Sequence, residues 1–221
     1  MLSSSTDPHC GFTLAHYRHC LEQALSQGYR FLTMSSYVGH PPADGKIILM
    51  RHDEDLSLPA ALRLADLEVE LGVRATFFFR FHAQGYNLLA LPSLDTLAAI
   101  RDQGHEIGLH GETHALGKFA GDGSLLRLER ELLSRVLDRE IEGLSLHEPS
   151  RTVRGSRATR YTDYGFTYEA YSRQFADLKY ISDSSAHWRE GCMCQHIGRE
   201  DRLYILTHGF WWYAQTPLEN Y

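Results

Sequence analysis

The chain has 221 residues, of which 43% are hydrophobic and 23% are charged, and this composition is typical of one soluble globular domain. The formal net charge of −6 argues against nucleic acid as a main partner, because phosphate binding requires clustered Lys and Arg. No run reaches the roughly 18 apolar residues of a membrane span, and the N-terminus lacks an apolar secretory signal. We therefore expect a cytoplasmic protein with a flexible tail over residues 1–10 and a single domain over residues 11–221.

The four cysteines fall into two groups, Cys10 and Cys20 near the start of the chain and Cys192 and Cys194 near its end. A single residue between the last two is shorter than the usual spacing of a zinc-binding pair. We therefore expect thiols without a metal rather than a structural zinc site. The thirteen histidines are a high number, and histidine is the commonest metal ligand in proteins.

In the first half of the chain, apolar runs alternate with amphipathic segments. Helical spacing of apolar residues predicts a helix over residues 12–27, and the aromatic stretch 29–37 predicts a short strand. The continuous apolar run 47–50 predicts a strand buried on both faces, which ends in the charged stretch 51–55. Ser57 is the predicted N-cap of the next helix. Further elements are predicted as a strand over 73–81, a helix over 94–103 and a strand over 106–109.

The second half of the chain continues this alternation. A strongly amphipathic pattern predicts a helix over residues 124–141, and a brief strand follows over 144–146. The polar stretch 149–165 predicts a long functional loop. The remaining predictions are a helix over 168–177, strands over 180–181 and 203–206, and an aromatic cluster over 210–213.

Six of the predicted strands end in polar side chains, most of which can bind metal or transfer protons. These side chains are Asp53 and Asp55, Arg80 and His82, His110, His147, Asp183, and His208. Because strands and helices alternate, the strands are predicted to be parallel. In a parallel α/β barrel all carboxyl ends of the strands lie on one face, so residues distant in sequence would meet there.

A metal site can be assembled from two of these strand ends. His110 and His114 are four residues apart, so they share one face if the chain turns helical after the strand. A carboxylate from the stretch with Asp53 and Asp55 would complete a set of two histidines and one carboxylate, with positions left open for water and substrate. On an extended strand Asp53 and Asp55 share a face and Glu54 points away. The alternatives are two ordinary surface histidines and an acidic turn that caps the following helix.

These motifs resemble those of the polysaccharide deacetylase family of carbohydrate esterases, over roughly residues 46–212. The most specific match is the stretch Gly104 to His114. The weaker ones include His147 and Ser150, which replace the Arg and Tyr of an Arg-x-Pro-Tyr motif. Within that family, the chain most resembles a divergent bacterial branch that has His-Asp-x-Asp in its first motif. The matching segments are Ile48 to Asp55, Ala75 to Phe78, Gly104 to His114, His147 to Ser150, Asp183 to Trp188, and Leu206 to His208.

The resemblance implies an α/β fold, a distorted (β/α) barrel of about seven parallel strands, and a role for several residues. Those roles are general base for Asp53, general acid for His208, and metal ligand for His110 and His114. In the first motif Glu54 stands where the family has its metal-binding Asp, and Asp55 stands where it has Gly. The strand-face argument favours Asp55 as the ligand, with Glu54 as the second choice.

The activity implied by the resemblance is metal-dependent hydrolysis of a carbon–nitrogen bond, as in N-deacetylation of an acylated amino sugar or polysaccharide precursor. Zinc is the expected ion, with Co²⁺ or Ni²⁺ as alternatives. The candidates for binding a carbohydrate or other N-acyl substrate are His147, Asp183, Trp188 and Trp211, although large aromatics also pack in cores. The alternatives are hydrolysis of a non-sugar amide, and a catalytically degenerate protein that binds a glycan or a partner.

Overall fold

The structure is a computed structural model that describes residues 10–112, 123–148 and 161–220. Its centre is a sheet of parallel strands, curled into a half-barrel, with strand order β6-β5-β4-β3-β2-β8-β7 and β1 beside β2. The strands are β1 (Arg30–Leu32), β2 (Ile47–Glu54), β3 (Thr76–Phe79), β4 (Glu106–Gly111), β5 (Gly143–Leu146), β6 (Tyr168–Glu169), β7 (Lys179–Ser182) and β8 (Arg202–Thr207). The expected fold class, a distorted barrel of about seven parallel strands, is confirmed.

Helices cover the outside of the sheet. In the parts of the chain that the structure describes they are α1 (Leu14–Ser26), α2 (Met34–Gly39), α3 (Leu58–Glu70), α4 (Leu91–Asp102), α5 (Ser124–Val136) and α6 (Met193–His196). The predicted cap of α3 is confirmed, because Ser57 Oγ accepts a hydrogen bond from the amide of Ala60. No helix in these ranges is both long and apolar enough to cross a membrane.

Strand β2 pairs with three other strands of the sheet. One of its edges pairs with β1 over Ile47 to Leu49 and then with β3 from Arg51 onward, and its other edge pairs with β8. The strand runs four residues further than the predicted range 47–50, and all eight of its residues are buried. The charged residues belong to the strand because Arg51 and Asp53 pair with each other inside the fold.

The core lies on both faces of this sheet, and the residues of β2 alternate between them. Ile48 and Met50 belong to the larger apolar cluster, together with the buried residues of α1, α3 and α4. Ile47 and Leu49 belong to a smaller cluster inside the half-barrel, with Phe78 of β3. By the same period of two, Asp53 faces the inside of the half-barrel and Glu54 faces the helices.

Two predicted elements differ from the structure. The aromatic stretch 29–37 is a three-residue strand followed by helix α2, because Thr33 caps that helix through its hydroxyl. The helix predicted over 168–177 is wrong, since the chain is extended at β6 and then makes a 3-10 turn. Tyr168 is held in the extended form by pairing with β5 and by a 2.6 Å hydrogen bond from its hydroxyl to Glu106. The predicted loop over 149–165 lies mostly outside the described residues.

Candidate active site

The polar residues predicted at strand ends do lie at the carboxyl ends of neighbouring parallel strands. Asp55 follows β2, His147 follows β5 and His208 follows β8, while His110 is the penultimate residue of β4. Residues 55 and 208 are brought together because β2 and β8 are paired, and His110 and His147 because β4 and β5 are paired. The curl of the sheet then closes these two pairs onto one another.

Asp55, His110 and His147 form a compact group of ligand atoms. Asp55 Oδ1 lies 3.4 Å from His110 Nε2 and 3.2 Å from His147 Nδ1, and the two histidine nitrogens are 3.2 Å apart. Burial alone would raise the pKa of Asp55, but hydrogen bonds from His110 and His147 hold it well below its usual range. Two imidazole nitrogens and a carboxylate are a donor set that suits a divalent ion such as zinc, so the residues fit the metal implied by the sequence.

The ring of His110 is oriented by strand β5. Its Nδ1 lies 3.0 Å from both the carbonyl oxygen and the hydroxyl of Ser145, which is completely buried. When Nδ1 donates its proton to this carbonyl, Nε2 on the Asp55 side of the ring is the nitrogen that can lose its proton and bind an ion. This is the arrangement that fixes the tautomer and direction of a histidine ligand in metal sites.

Asp53 is held by a buried arginine. Arg51 Nε lies 2.8 Å from one carboxylate oxygen of Asp53 and Arg51 Nη2 lies 2.5 Å from the other, which also accepts from Ser145 Oγ at 3.1 Å. Burial raises the pKa of Asp53, but the charges of Arg51 and His110 outweigh it and leave this pKa below its usual range. The carboxylate is therefore ionised and fixed beside His110, with 3.8 Å between Oδ2 and His110 Nδ1.

Arg51 is a site residue that sequence reasoning missed. Its guanidinium also donates to Ser145 Oγ at 2.6 Å and to the Tyr204 hydroxyl at 3.0 Å, and lies 4.4 Å from the centre of the Tyr171 ring. The available signal was its spacing, since residues two apart on a strand share a face and Arg51 precedes Asp53 by two. An arginine within a continuous apolar strand has to be paired.

His208 is oriented by Asp183, which directly follows β7. His208 Nδ1 lies 2.6 Å from Asp183 Oδ1, and Asp183 Oδ2 accepts hydrogen bonds from the backbone amide of His208 and from Trp212 Nε1. Burial lowers the pKa of His208, but Asp183 outweighs it and raises this pKa to about 9. The other ring nitrogen, Nε2, is 4.0 Å from Asp55 Oδ2 and faces the site.

Asp183 was expected to bind substrate, and the structure gives it a different position. It has no exposed surface, and both of its oxygens are occupied by His208 and Trp212. Its carboxylate therefore faces His208 and Trp212, and its expected contact with a substrate stays a prediction.

Glu54, the second choice as metal ligand, points away from His110 and His147. Its carboxyl group is completely buried beside Gly209, and neither oxygen makes a hydrogen bond of normal geometry within the described ranges. Burial raises the pKa of Glu54 well above its usual range. It is absent from the group formed by Asp55, His110 and His147.

The other predicted residues lie nearby or outside the described ranges. Arg80 donates to Asp55 Oδ1 at 3.2 Å and also to Glu112, whereas His82 pairs with Glu129 instead. The predicted ligand His114 lies outside the described residues, as do Arg151, Arg154, Arg157 and Arg160 of the predicted loop.

The two tryptophans proposed for substrate binding both pack against neighbours. The half-buried Trp188 lies parallel to Phe12 with 6.1 Å between ring centres. Trp211 makes an edge contact with Phe210 at 5.2 Å and stays partly exposed beyond β8. Of the two, Trp211 is nearer in sequence to the site, since it comes three residues after His208.

No protein-family model matches the chain, and no curated protein matches it in sequence. Solved structures do match in fold. The deacetylase PplD of Streptococcus pyogenes in complex with acetate is 12% identical, with a TM-score of 0.53 over 86% of this chain and 80% of that one. Peptidoglycan deacetylase PdaC of Bacillus subtilis, in a mutant form, is 15% identical, with a TM-score of 0.52 over 75% of this chain and 76% of that one.

A third similar structure is a CE4 family pseudoenzyme from Bacillus anthracis, 15% identical with a TM-score of 0.52. The match covers 76% of this chain but only 56% of the pseudoenzyme. A mutant of the same pseudoenzyme with restored enzymatic activity matches equally well, at a TM-score of 0.52. The fold is thus found both in deacetylases and in a pseudoenzyme. The chain has the fold of the CE4 family of polysaccharide deacetylases, in agreement with the resemblance of its strand-end motifs.

Proposed function

We propose that the protein is a metal-dependent hydrolase of a carbon–nitrogen bond, which removes the acyl group from an acylated amino sugar or a polysaccharide precursor. The observation that carries this proposal is the meeting of Asp55, His110 and His147 at the carboxyl ends of their strands, with Asp53 and His208 beside them. Metal-dependent hydrolysis of an amide uses such a combination of ion ligands, a base and an acid.

Asp55 Oδ1, His110 Nε2 and His147 Nδ1 are the proposed metal ligands within the described residues. This assignment gives His147 a ligand role in place of the substrate contact predicted for it, because its Nδ1 faces the two other donors. Zinc is the proposed ion, and His114 remains a predicted further ligand. A bound divalent ion would lower the pKa of a water molecule and polarise the amide carbonyl.

The proton transfers are assigned to Asp53 and His208. Arg51 and Ser145 fix the Asp53 carboxylate next to the proposed ligand His110, where a lone pair of Oδ2 accepts the proton of the attacking water. Asp183 holds His208 Nδ1, so that Nε2–H points into the site and donates a proton to the departing amine. The base then acts on the attacking water and the acid on the departing nitrogen, from two different strands.

A carbohydrate substrate is proposed from the similar structures. The names of two of them are those of a deacetylase and of a peptidoglycan deacetylase. The partly exposed ring of Trp211, which follows His208, is the surface proposed to stack on a sugar ring.

A binding protein without catalysis is the second candidate, and one observation favours it. The predicted base Asp53 accepts hydrogen bonds from Nε and Nη2 of Arg51, and the charge of this arginine lowers the pKa of the Asp53 carboxyl. The similar pseudoenzyme shows that the fold occurs without activity. The two candidates differ in turnover, since a binding protein would retain a saccharide and release no acetate.

The test is metal content by mass spectrometry on untagged protein, combined with acetate release from N-acetylated oligosaccharides. His110→Ala and His147→Ala are each expected to contain about one ion per chain less than the wild type and to lose activity. His40→Ala, which changes an exposed histidine, is the matched control and should retain both. Unchanged metal content in both site variants would refute the ligand assignment. Saccharide binding without acetate release would favour the second candidate.

A further inference from the structure

A second group of metal-binding side chains lies apart from the candidate active site and shares no residue with it. The group consists of Cys10, His16, Cys192 and Cys194, whose ligand atoms all lie within 4.8 Å of one another. Cys10 Sγ is 3.4 Å from Cys194 Sγ, and His16 Nε2 is 3.2 Å from Cys192 Sγ. The four cysteines that the sequence separates into two distant groups are therefore neighbours in space.

The fold brings these donors together at the contact between α1 and α6. Thr13 caps α1 through its hydroxyl, which accepts from the amide of His16, and this fixes the first turn and the start of the histidine side chain. Cys192 is the N-cap residue of α6 and Cys194 lies in its first turn. Cys10 reaches the group from the segment just before α1.

We propose that Cys10, His16, Cys192 and Cys194 bind one structural zinc ion. Three sulfur atoms and one imidazole nitrogen are a standard ligand set for structural zinc, and four protein ligands leave no position open for substrate. Soft sulfur donors favour zinc over magnesium or calcium, which prefer oxygen. Binding displaces one proton from each of the three thiols, while the histidine coordinates as the neutral ring.

A disulfide is the competing interpretation, because two of the sulfur atoms are only 3.4 Å apart. A bond between Cys10 and Cys194 would use two members of the group and would not involve His16 or Cys192. A single ion accounts for all four donors, whereas a disulfide accounts for half of them.

Cys20 allows a specific ligand set to be distinguished from a nonspecific cluster of cysteines. It lies one helical turn after His16 and its Sγ is 3.5 Å from His16 Nε2, yet it is not one of the four mutually close donors. It is completely buried in α1. The zinc site is thus proposed to use three of the four cysteines, with Cys20 as the matched control.

The ion would join the beginning of the described chain to its last third. Cys10 and Cys194 are 184 positions apart, so coordination closes a very long loop. Closing such a loop restricts the unfolded chain, and binding of the ion to the folded state alone adds to stability. This role does not depend on the activity proposed above.

The first experiment uses the full-length untagged protein without any substitution in this group. Zinc is measured by mass spectrometry before and after titration with p-hydroxymercuribenzoate, which reacts with thiolates and not with imidazole or carboxylate ligands. About one zinc per chain should be released, both from the wild type and from His110→Ala, which alters only the other site. Absence of mercurial-released zinc in protein purified with zinc present would overturn the proposal, whether or not any variant folds.

The ligand assignment is tested with Cys194→Ala and Cys20→Ala. After cobalt substitution, the His110→Ala protein should show the near-ultraviolet absorption band of cobalt bound to thiolate. This band should disappear when Cys194→Ala is added and persist when Cys20→Ala is added. The reverse pattern, or a Cys10–Cys194 disulfide found by peptide mass spectrometry of freshly isolated protein, would refute the proposed set.

Discussion

The residue that most constrains the candidate site is Arg51, a charged side chain with no exposed surface. Its charge is balanced by Asp53, and its remaining donors are used by Ser145 and Tyr204. Removing one partner from such a pair leaves the other as an uncompensated buried charge. The pair therefore fixes the position of Asp53 and also makes the centre of the half-barrel sensitive to substitution.

We predict that Arg51→Ala lowers the free energy of unfolding by about 3–5 kcal/mol, since Asp53 loses its buried partner. Urea denaturation followed by circular dichroism measures this loss. Arg18→Ala removes an arginine of the largely exposed pair with Glu70 and should cost about 1 kcal/mol or less. Equal losses in the two variants would show that Asp53 is not dependent on Arg51.

Asp183 is predicted to act through His208. Asp183→Asn should lower kcat by roughly 10²-fold or more, because the asparagine no longer holds the imidazole as a charged partner does. KM and metal content should remain close to those of the wild type, since Asp183 is completely buried and its oxygens bind His208 and Trp212 rather than the proposed ligands. Asp177→Asn, in an exposed carboxylate bonded to Tyr37, is the control. An increase in KM at unchanged kcat would instead support the substrate contact expected from the sequence.

At the scale of elements, strand β2 shows what the sequence can predict. The alternation of side chains along a strand is a local property, so it was sufficient to put Asp53 on one face and Glu54 on the other. The polar residues at the ends of β2, β4, β5 and β8 were also recognisable, because each follows an apolar run. Strand β6 was not recognisable, since its extended form depends on pairing with β5 and on the contact between Tyr168 and Glu106.

The helix-facing side of β2 carries a buried polar network centred on Glu68 of α3. His52 Nε2 lies 2.9 Å from Glu68 Oε1, and the Tyr17 hydroxyl donates a hydrogen bond to the same oxygen at 2.5 Å. His105 Nδ1 lies 3.6 Å from the other carboxylate oxygen, Oε2. Burial raises the pKa of Glu68, but His52, His105 and Tyr17 outweigh it and leave this pKa below its usual value. This network ties α1 and α3 to the central strand.

A lowered carboxyl pKa in the folded state stabilises the protein above the pKa of the unfolded chain, roughly 4.3 for glutamate. That contribution is lost as the pH falls through the folded-state pKa of Glu68. We predict that Glu68→Gln lowers the free energy of unfolding at pH 7 by about 3 kcal/mol and that this difference from the wild type shrinks toward pH 3. Denaturant titrations at a series of pH values measure it. Glu70→Gln, in an exposed residue of the same helix, should leave the pH dependence unchanged, and a constant deficit in Glu68→Gln would contradict the prediction.

At the scale of the whole molecule, the order of strands and helices was predictable because apolar runs and amphipathic segments alternate in the amino-acid sequence. The meeting of Cys10 with Cys194 was not, since spacing rules cover only ligands close in sequence. For the same reason the support of His208 by Asp183 and Trp212 was invisible, as these contacts depend on how β7 and β8 pair. Contacts between residues that are distant in sequence can be identified only once the three-dimensional structure is known.

The proposed zinc site predicts where the molecule loosens when the ion is removed. Tyr17 of α1 packs edge-on against Trp212 at 4.9 Å, so packing as well as the proposed ion would hold α1 against the segment that follows β8. After treatment with the mercurial, amide hydrogen exchange should accelerate in residues 10–26 and 192–197, while β2, β3 and β4 keep their protection. The Cys194→Ala variant should show the same pattern without the reagent, and Cys20→Ala should not. Acceleration spread evenly over the sheet would mean that the thiols stabilise the entire core, and unchanged exchange in α1 would mean that packing alone holds the helix.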